Sequence, residues 1–391
     1  MRGSSRLKVL GSRHSFNGIA DTDGLQLSLA GFNSIQIDPT SQTVTVGAAI
    51  CYGDLAPVLE AHGFALHNLA SLPHISIAGA VATATHGSGM RNGNLATAVS
   101  ALEFVTASGE LIRLSRLSDP DAFPASAVSL GALGVVTSLT LDLQPTYRIA
   151  QSVFVDLPFT ALEHHLHAIF ASGYSVSLFT DWQSSRATQL WIKRRLGSSP
   201  LPDLGSDFYG ARPATEHTHP IPGHDSDACT RQLGLPGPWL ERLPHFRMEF
   251  TPSSGQELQS EYFVPLDCGY AAIRALEALR DRIAPLLLVS ELRTVAADNL
   301  WLSMAYQQPS LALHFTWKPS WPAVRALLPE IEKRLRPFQA RPHWGKLFAT
   351  HPTEFRALYP RLPDFLALAA RYDPDGKFRN RFLEESVFRA G

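Results

Sequence analysis

The segment Ser71-Leu-Pro-His-Ile-Ser-Ile-Ala-Gly-Ala-Val-Ala-Thr-Ala-Thr-His-Gly-Ser-Gly89 consists mostly of small residues. Such residues leave backbone N–H groups open to a ligand, because little Cβ bulk stands in the way. Hydroxyl groups at Ser76, Thr83 and Thr85 add uncharged hydrogen-bond donors. The segment therefore favours a site for a large, flat, phosphate-bearing ligand. The alternative is a tightly packed small-residue turn between helices.

A second small-residue turn, Gly11-Ser-Arg-His-Ser-Phe-Asn17, follows the short apolar run Leu7–Leu10. A strand that ends in a Gly/Ser turn can cradle phosphate, although a short Gly-Ser loop is weak evidence on its own. A third glycine-containing stretch, Leu130-Gly-Ala-Leu-Gly-Val-Val-Thr137, precedes or enters a predicted strand. It is interpreted either as part of the same ligand site or as a loop that leads into that strand.

Charged and polar residues alternate with apolar ones in two later segments. Glu291 and Arg293 flank a leucine, and His314 and Thr316 flank a phenylalanine, so each pair faces one side of a predicted strand. Opposite charges on an interior strand are costly unless they are paired and used. These residues are candidates for a functional site, and satisfied structural ion pairs are the alternative.

Length and composition exclude several classes of protein. The 391 residues suffice for two domains, and 45% hydrophobic with 18% charged residues is typical of a globular protein. A net charge of −1 gives no general attraction to nucleic acid or anionic membranes. The three cysteines lie far apart, and the fifteen histidines form no HExxH motif, so we expect neither a disulfide framework nor a metal site. The sequence shows no long apolar run and no signal peptide, so we expect a cytoplasmic protein without a membrane partner. We also expect a monomer that binds no nucleic acid.

Periodicity predicts an α+β first third of the chain. A hairpin of two strands, Ser34–Asp38 and Gln42–Val46, precedes a helix over Gly53–His62 that stops at Gly63. Three further strands are predicted at Ala101–Thr106, Glu110–Leu114 and Val135–Leu143.

From about Tyr147 the pattern indicates a second domain. Its predicted strands are Ser175–Trp182, Thr188–Lys193, Phe246–Phe250 and Ser260–Pro265. The proline- and glycine-rich stretch Pro200–Pro238 is interpreted as a long surface segment that caps another part of the molecule.

Two helices are predicted in this second domain. Asp267 is expected to cap the first, whose apolar stripe is Ile273, Leu276, Leu279 and Ile283 and whose outward residues are Arg274, Glu277, Arg280 and Asp281. Ser320 and Pro322 open the second, whose apolar face is Val324, Leu327, Leu328, Ile331 and Leu335.

Six segments, in the same order along the chain, resemble the flavin-binding vanillyl-alcohol oxidase superfamily. The resemblance is closest to bacterial alditol oxidases, and the sugar-1,4-lactone oxidases are nearer relatives than the rest. The segments are His14-Ser-Phe-Asn, His67-Asn-Leu-Ala-Ser-Leu-Pro-His-Ile-Ser, Thr85-His-Gly-Ser-Gly, Ser290-Glu-Leu-Arg-Thr-Val-Ala-Ala-Asp, Leu313-His-Phe-Thr-Trp and Arg341-Pro-His-Trp-Gly-Lys.

The resemblance implies a two-domain PCMH-type FAD-binding fold. It implies an FAD-binding domain at 1–146, a substrate-binding cap domain at 147–369 built on an antiparallel sheet flanked by helices, and a C-terminal segment at 370–391 that returns to the FAD domain. Family members carry about thirty further residues before the first strand of this chain, enough for a strand and a helix. We therefore expect one of two explanations. Either the start codon is misassigned, or the FAD-binding domain lacks an edge element, which would expose its hydrophobic core and weaken the adenine side of the cofactor site.

FAD is the cofactor that the resemblance implies, bonded covalently to His14. The alternative for His14 is a histidine that caps a loop, and Arg13 stands where glycine is common in the family, so it either crowds the turn or pairs with a phosphate. The implied cofactor-binding residues are Gly11, Ser12, Arg13, His14, Ser15, Ala70, Ser71, Ser76, Gly79, Ala80, Thr83, His86, Gly87, Val135, Val136 and Lys346.

The resemblance also implies a polyol pocket facing the flavin. Its residues are Ser71, Glu291, Arg293, His314, Thr316 and Lys346. Glu291, Arg293, His314 and Lys346 are the expected catalytic set, and either His314 or Lys346 assists removal of the hydroxyl proton. A small residue at Ala70 leaves room for oxygen beside the flavin, although ordinary packing with another electron acceptor is the alternative.

The resemblance therefore implies an oxidase that converts the terminal primary alcohol of an alditol such as xylitol or sorbitol to the aldose. O2 is reduced to H2O2 in this reaction. The alternatives are oxidation of an aldonolactone, a flavin-binding protein inactive because of its short N-terminus, and a metal-dependent hydrolase.

Overall fold

The computed structural model of the protein describes residues 3–197, 201, 203–250 and 256–389. The strands of this part are β1 (Leu7–Leu10), β2 (Leu25–Ser28), β3 (Ile35–Asp38), β4 (Thr43–Gly47), β5 (Phe64–Ala65), β6 (Val99–Val105), β7 (Leu111–Ser115), β8 (Val135–Asp142), β9 (Gln144–Pro145), β10 (Arg148–Pro158), β11 (Ser175–Thr180), β12 (Arg186–Arg195), β13 (Arg212–Pro213), β14 (Pro236–Pro238), β15 (Leu258–Pro265), β16 (Leu287–Val295), β17 (Ser310–Trp317) and β18 (Arg341–Pro342). The helices are α1 (Tyr52–Ala61), α2 (Ile77–Ala82), α3 (Phe123–Ala127), α4 (Phe159–Ala171), α5 (Gly269–Glu277), α6 (Arg280–Ile283), α7 (Trp321–Leu335), α8 (Pro352–Leu358), α9 (Leu362–Tyr372) and α10 (Arg381–Leu383). Among these helices, none has the length and apolar character that a membrane crossing requires.

The first sheet is a five-stranded antiparallel sheet in the order β3-β4-β8-β6-β7. The predicted hairpin of β3 and β4 is confirmed, because the alternation of their residues puts Val44 and Val46 into the core. Helix α1 follows as predicted, and the chain turns at Gly63, whose φ of +78° suits a glycine at a helix end. The short strands β1 and β2 form a separate parallel pair.

The second sheet is antiparallel and contains nine strands, in the order β13-β10-β12-β11-β16-β17-β15-β18 with β14 also paired to β10. Apolar side chains of α4, α5 and α7 pack against one face of this sheet and form a core with Leu292, Leu313 and Phe315. The alternating residues of the same strands point to the opposite face, which is where the candidate site lies. The expected antiparallel sheet flanked by helices is therefore present.

The last part of the chain packs against the core of the first sheet. Phe355, Leu362 and Phe365, on α8 and α9, are buried in the same core as the first sheet. Asn380 then donates to the carbonyl oxygens of Gly18, Ile19 and Asp21, at 2.7–3.1 Å. The amphipathic pattern of α9 agrees with this packing, because its apolar face needs a core to cover it.

The predicted strand at Phe246–Phe250 is wrong. The structure has a single bridge there, between Cys229 and Phe246, followed by a turn. The N–H groups of His245 and Phe246 both donate to the carbonyl oxygen of Ser71, at 3.1 and 3.3 Å. The apolar composition resembled a strand, but these hydrogen bonds attach the segment to a loop of the first domain.

The helix predicted after Asp267 is also corrected. Asp267 lies in a short 3-10 turn and does not cap α5, and the chain breaks at Ala278–Leu279 into two helices, α5 and α6. The predicted apolar stripe is buried as expected. Glu277, predicted to face outward, is buried because its carboxylate accepts hydrogen bonds from Ser185 and Arg274.

The stretch Pro200–Pro238 is only partly a surface segment. Pro200 lies outside the described residues, whereas Ala211, Cys229 and Gln232 are buried and β13 and β14 pair with β10. His219, Ile221 and His224 from this stretch line the cavity described below. The prediction that the stretch caps another part of the molecule is confirmed in this respect.

Candidate active site

A cavity of about 1010 Å³ lies between the loops of the first domain and the open face of the second sheet. This volume is at the upper end of the range for small-molecule and cofactor sites. Residues predicted from distant parts of the sequence meet on its wall. These residues are Gly11, Ser12, Arg13, His14, Ser15, Ala70, Ser71, Ser76, Gly79, Ala80, Thr83, His86, Val136, Glu291, Arg293, His314, Thr316 and Lys346.

One wall of the cavity is made of small residues and has an unpartnered hydroxyl group. Ser76 Oγ is buried without a hydrogen-bond partner among the described residues. A Cβ added at Gly11 or Gly79 would lie 3.0 or 2.8 Å from this oxygen, so a larger residue at either position would crowd the hydroxyl group. Ser12 Oγ accepts from the backbone N–H of Ser76 at 3.1 Å, which joins the two glycine-containing loops. This wall fits a large cofactor that carries hydrogen-bond acceptors.

The loop that carries His14 is attached to the turn that carries Lys346. Phe16 N donates to Gly345 O at 2.8 Å, and the Asn17 amide donates to the carbonyl oxygens of Trp344 and Lys346 at 2.8 and 2.7 Å. The His14 ring lines the open cavity, where desolvation by the walls and the charge of Lys346 lower its pKa to about 4. His14 is therefore neutral near pH 7, with a free ring nitrogen lone pair.

Arg13 adopts a left-handed backbone conformation, with φ of +58°. A side chain in this region is strained by contact between Cβ and the backbone, which glycine avoids. The structure thus gives a physical reason for the glycine that the family comparison implies at this position.

Two predicted cofactor-binding residues, Gly87 and Val135, do not line the cavity. The alternation of β8 turns Val136 to the cavity and buries Val135 against Leu7 and Phe378. Gly87 packs against the loop that precedes Ser71, and a Cβ there would lie 2.4 Å from Leu69 O. Gly87 allows this close backbone packing, and its contact with the cofactor stays a prediction.

We expect Gly87→Ala to lower the free energy of unfolding by about 1–3 kcal/mol, because the added methyl group overlaps a backbone oxygen that cannot move freely. Gly31→Ala is the matched control. A Cβ at Gly31 meets no atom within 4 Å, so its effect should stay within about 0.5 kcal/mol. Urea unfolding of both variants at equal flavin content measures the difference, and equal midpoints would contradict this account of Gly87.

The second sheet brings three ionisable residues into one row. Glu261 on β15 pairs with His314 on β17, and His314 pairs with Glu291 on β16. Residues directly opposite each other in adjacent strands point to the same face. The row therefore places the His314 imidazole between the carboxylates of Glu261 and Glu291, and all three groups lie at the cavity.

Glu261 is the centre of the charged network, and its side chain is completely buried. Its carboxylate binds Arg293 Nη2 at 2.9 Å and Lys346 Nζ at 2.6 Å, and it lies 3.2 Å from His86 Nε2. Burial alone would raise the pKa of Glu261, but Lys346, His86 and Arg293 outweigh it and hold the pKa well below its ordinary value. Glu261 is thus an ionised group shared between two cations.

His314 is a neutral hydrogen-bond donor in this arrangement. Its Nδ1 lies 2.7 Å from Lys346 Nζ, and its Nε2 lies 3.0 Å from Thr316 Oγ1. An ammonium group can only donate, so Nδ1 accepts and the single proton of the ring is on Nε2. Burial and the charge of Lys346 lower the pKa of His314 to about 4, which is consistent with the neutral form.

Glu291 and Arg293 lie side by side at the cavity, as the alternation in the sequence predicted. Arg293 Nη1 donates to Ser71 Oγ at 3.3 Å, and Arg293 Nε lies 3.6 Å from Glu291 Oε1 without a hydrogen-bond partner among the described residues. His245 Nε2 lies 2.7 Å from Glu291 Oε1. Burial opposes ionisation of Glu291, but Arg293 and His245 outweigh it and hold its pKa well below the ordinary value.

Sequence reasoning missed Glu261 and His245. Glu261 had a signal, because Glu257, just before β15, alternates with Gln259 and Glu261 on β15, and all three line the cavity. His245 had no such signal, because it lies in an irregular segment just before the wrongly predicted strand Phe246–Phe250.

His86, Glu261 and His343 have ligand atoms within 4.8 Å of one another, close enough to hold a metal ion. The carboxylate of Glu261 is already neutralised by Arg293 and Lys346, whose positive charges would oppose a divalent cation. The chemistry of this group of residues does not favour a metal.

Comparisons with known proteins agree with the geometry. A model of the FAD binding domain matches residues 4–115, and a model of the D-arabinono-1,4-lactone oxidase family matches residues 253–386. An alditol oxidase of Streptomyces sp. is 50% identical over 95% of this chain and 88% of its own length. L-gulonolactone oxidase of Mus musculus is 26% identical over 98% of this chain and 90% of its own length.

The fold is also that of a solved oxidase. The crystal structure of cholesterol oxidase from B. sterolicum superposes with a TM-score of 0.76 at 17% identity, covering 98% of this chain and 89% of that chain. This likeness supports the PCMH-type FAD-binding fold, in which the small-residue wall belongs to the domain that binds FAD. With half of its residues identical to those of an alditol oxidase over nearly its whole length, the chain belongs to the alditol oxidase family, which is related to the sugar-1,4-lactone oxidases.

Proposed function

We propose that this chain is an FAD-dependent oxidase that converts the terminal primary alcohol of an alditol such as xylitol or sorbitol to the aldose. The alcohol carbon loses a hydride and its hydroxyl loses a proton, and O2 takes up both to form H2O2. The observation that carries the proposal is the cavity wall formed by Glu291, Arg293 and Lys346, which combines an acceptor with two cationic donors. A polyol offers only hydroxyl groups, and such a wall can bind them as donors and as acceptors.

Four side chains would bind the polyol. Glu291 accepts from substrate hydroxyls, and Arg293 donates through the Nε–H that has no partner among the described residues. Ser71 Oγ accepts from Arg293, and Thr316 Oγ1 accepts from His314 Nε2, so each hydroxyl keeps its own proton for a substrate oxygen. This arrangement orients the substrate along the sheet.

Lys346 would stabilise the reacting hydroxyl. Glu261 and His314 accept two of the three hydrogens of its ammonium group, which leaves one for the substrate oxygen as its proton departs. Bound FAD supplies the hydride acceptor. His314 has no lone pair available, because Nδ1 accepts from Lys346, so we assign it a positioning role rather than that of a base.

Ala70 supports the assignment of O2 as the final acceptor. It lines the cavity immediately before Ser71, and its methyl side chain occupies little space beside the expected flavin. A small, open position there is compatible with the approach of oxygen.

We further propose that His14 bonds covalently to FAD. Its neutral ring lines the cavity and could form a C–N bond to the 8α-methyl carbon of FAD. One C–H bond and one ring N–H bond would break, and the two electrons and two protons would pass by way of the flavin to O2, which gives H2O2. We expect acid precipitation of the wild-type protein to leave the yellow colour in the pellet, whereas His14→Ala releases all its flavin into the supernatant. His62→Ala, which changes an exposed histidine bonded to Val58 O, is the control and should behave as wild type. Flavin in the wild-type supernatant would contradict the covalent bond.

Oxidation of an aldonolactone is the second candidate, favoured by the match of residues 253–386 to the D-arabinono-1,4-lactone oxidase family. Anaerobic addition of xylitol or of D-arabinono-1,4-lactone to the purified flavoprotein separates the two. Bleaching of the flavin absorbance by xylitol, followed by H2O2 formation in air, supports the alditol. Bleaching by the lactone alone would reject the alditol proposal.

A further inference from the structure

A buried lysine behind the cavity wall has no role in the reaction described so far. Lys193 lies on β12 with 1% of its side chain exposed, and it does not line the cavity. Its Nζ binds the carbonyl oxygens of Leu243 and Pro244, the latter at 3.2 Å, and lies 3.1 Å from His245 Nδ1. Burial lowers the pKa of Lys193 to about 7, and the negative charge of Glu291 opposes this shift, so we assign Lys193 the ammonium form. An ammonium group has three hydrogens and no lone pair, and these three acceptors satisfy it completely.

The contact with Lys193 determines the tautomer of His245. Because Nδ1 accepts from the ammonium group, the single proton of the neutral imidazole is on Nε2. Nε2 then donates to Glu291 Oε1 at 2.7 Å. Phe179 and Trp191 hold the imidazole edge-on, with ring centroids 5.4 and 5.2 Å away.

The tautomer matters because Glu291 is an ionised carboxylate. With the proton on Nδ1, His245 would turn the lone pair of Nε2 toward a negative oxygen, and the carboxylate would have to rotate or move. With the proton on Nε2, the hydrogen bond fixes Oε1, while no described residue hydrogen-bonds Oε2 at the cavity. The second oxygen is therefore held ready for a ligand.

The same arrangement occurs a second time in the sheet. Lys346 Nζ lies 2.7 Å from Nδ1 of His314, whose Nε2 donates to Thr316. In both cases a lysine on Nδ1 makes the histidine a donor to a residue that faces the cavity. Lys346 lies on the cavity wall itself, whereas Lys193 acts from behind it.

We propose that Lys193 is a positioning residue, which fixes the Nε2–H tautomer of His245 and thereby the orientation in which Glu291 binds a substrate hydroxyl. The part of this proposal that concerns the binding of a substrate hydroxyl by Glu291 rests on the proposed function. Burial, together with the charge of Lys193, lowers the pKa of His245 to about 4, which agrees with a neutral ring.

The direct test is 15N NMR of the flavoprotein labelled at histidine, with the His245 signals identified by their loss in His245→Gln. In the wild type we expect the neutral Nε2–H pattern. In Lys193→Met, Nδ1 loses its donor while Glu291 still attracts a proton on Nε2, so we expect a ring with a second proton on Nδ1 or a mixture of protonation states. Lys8→Met is the control, since Lys8 is also a buried lysine, bound to the carbonyl oxygens of Leu130, Gly131 and Phe378. Lys8 lines the cavity from the first domain, so the control is compared at equal flavin content. It should leave the His245 signals unchanged. A protonated or Nδ1–H ring in the wild type, or unchanged signals in Lys193→Met, would overturn the proposal.

Kinetics provide the second readout. Loss of the oriented hydrogen bond should raise KM for xylitol about tenfold in Lys193→Met and change kcat much less, because Glu291 binds substrate without taking part in proton transfer. A fall in kcat at constant KM would contradict this role. If Lys193→Met does not fold, His245→Gln and His245→Leu replace it, and only the glutamine, which can accept from Lys193 and donate to Glu291, should keep KM near the wild-type value.

The two proposals can fail separately. A wild-type protein that oxidises no alditol rejects the proposed function, whereas the NMR result still decides whether Lys193 controls His245.

Discussion

Replacing Lys346 by methionine is expected to lower kcat for xylitol by about 10²–10³, the usual cost of removing one donor to a developing oxyanion. Methionine keeps most of the side-chain length and removes the charge. The structure leaves the lysine one N–H beyond those bound to Glu261 and His314, and it lies at the cavity. KM should change less, because this hydrogen bond strengthens as the hydroxyl loses its proton.

Anaerobic stopped-flow measurement of flavin bleaching gives the rate of the chemical step directly. Lys318→Met is the matched control, since Lys318 is exposed and donates to Pro285 O outside the cavity. The control should bleach at the wild-type rate. If Lys346→Met, with full flavin content, bleaches within about threefold of the wild type, Lys346 does not stabilise the reacting oxygen.

Replacing Glu261 by glutamine is expected to lower the free energy of unfolding by about 3–5 kcal/mol, because it leaves two buried cations without their shared carboxylate. Arg293 and Lys346 lie 2.9 and 2.6 Å from the two carboxylate oxygens, and their side chains are 6% and 13% exposed. Glutamine fills the same volume but carries no charge, so the lost electrostatic pairing dominates the change. Catalysis should fall as well, since both cations serve the proposed substrate site.

Urea unfolding at matched flavin content tests this prediction, with Glu385→Gln as control. Glu385 pairs with Arg381 at the surface, where an ion pair contributes about 0–1 kcal/mol. Because the folded state lowers the pKa of Glu261, its contribution is fully present above the ordinary carboxyl pKa and is lost as the pH falls below it. The difference between wild type and Glu261→Gln should therefore shrink in acid. Equal stability at pH 7 would contradict a central role for Glu261.

Local patterns predicted the elements that carry most of the site. The alternation of Glu291 with Arg293 and of His314 with Thr316 predicted two strands with polar inner faces, and β16 and β17 confirm both. This prediction succeeded because side chains along a strand alternate with a period of two residues, which a single segment displays. The same reasoning failed at Phe246–Phe250, where apolar residues bind a distant loop instead of a neighbouring strand.

The partners of each charged group could not be predicted from any one segment. Glu261 is 30 positions before Glu291 and 53 before His314, yet the register of three strands puts them in one row. Lys193, His245 and Glu291 come from separate parts of the chain, and their hydrogen bonds exist only after the sheet and the segment at 226–250 have packed together.

The sequence by itself determined the small-residue wall, the two polar strand faces and the family, because composition, periodicity and order along the chain are local or linear properties. The tertiary structure decided which carboxylate neutralises Arg293 and Lys346, which nitrogen of His245 and His314 carries the proton, and why Gly87 must be glycine. These properties depend on distances of about 3 Å between residues far apart in the chain, and strand register and loop packing set those distances.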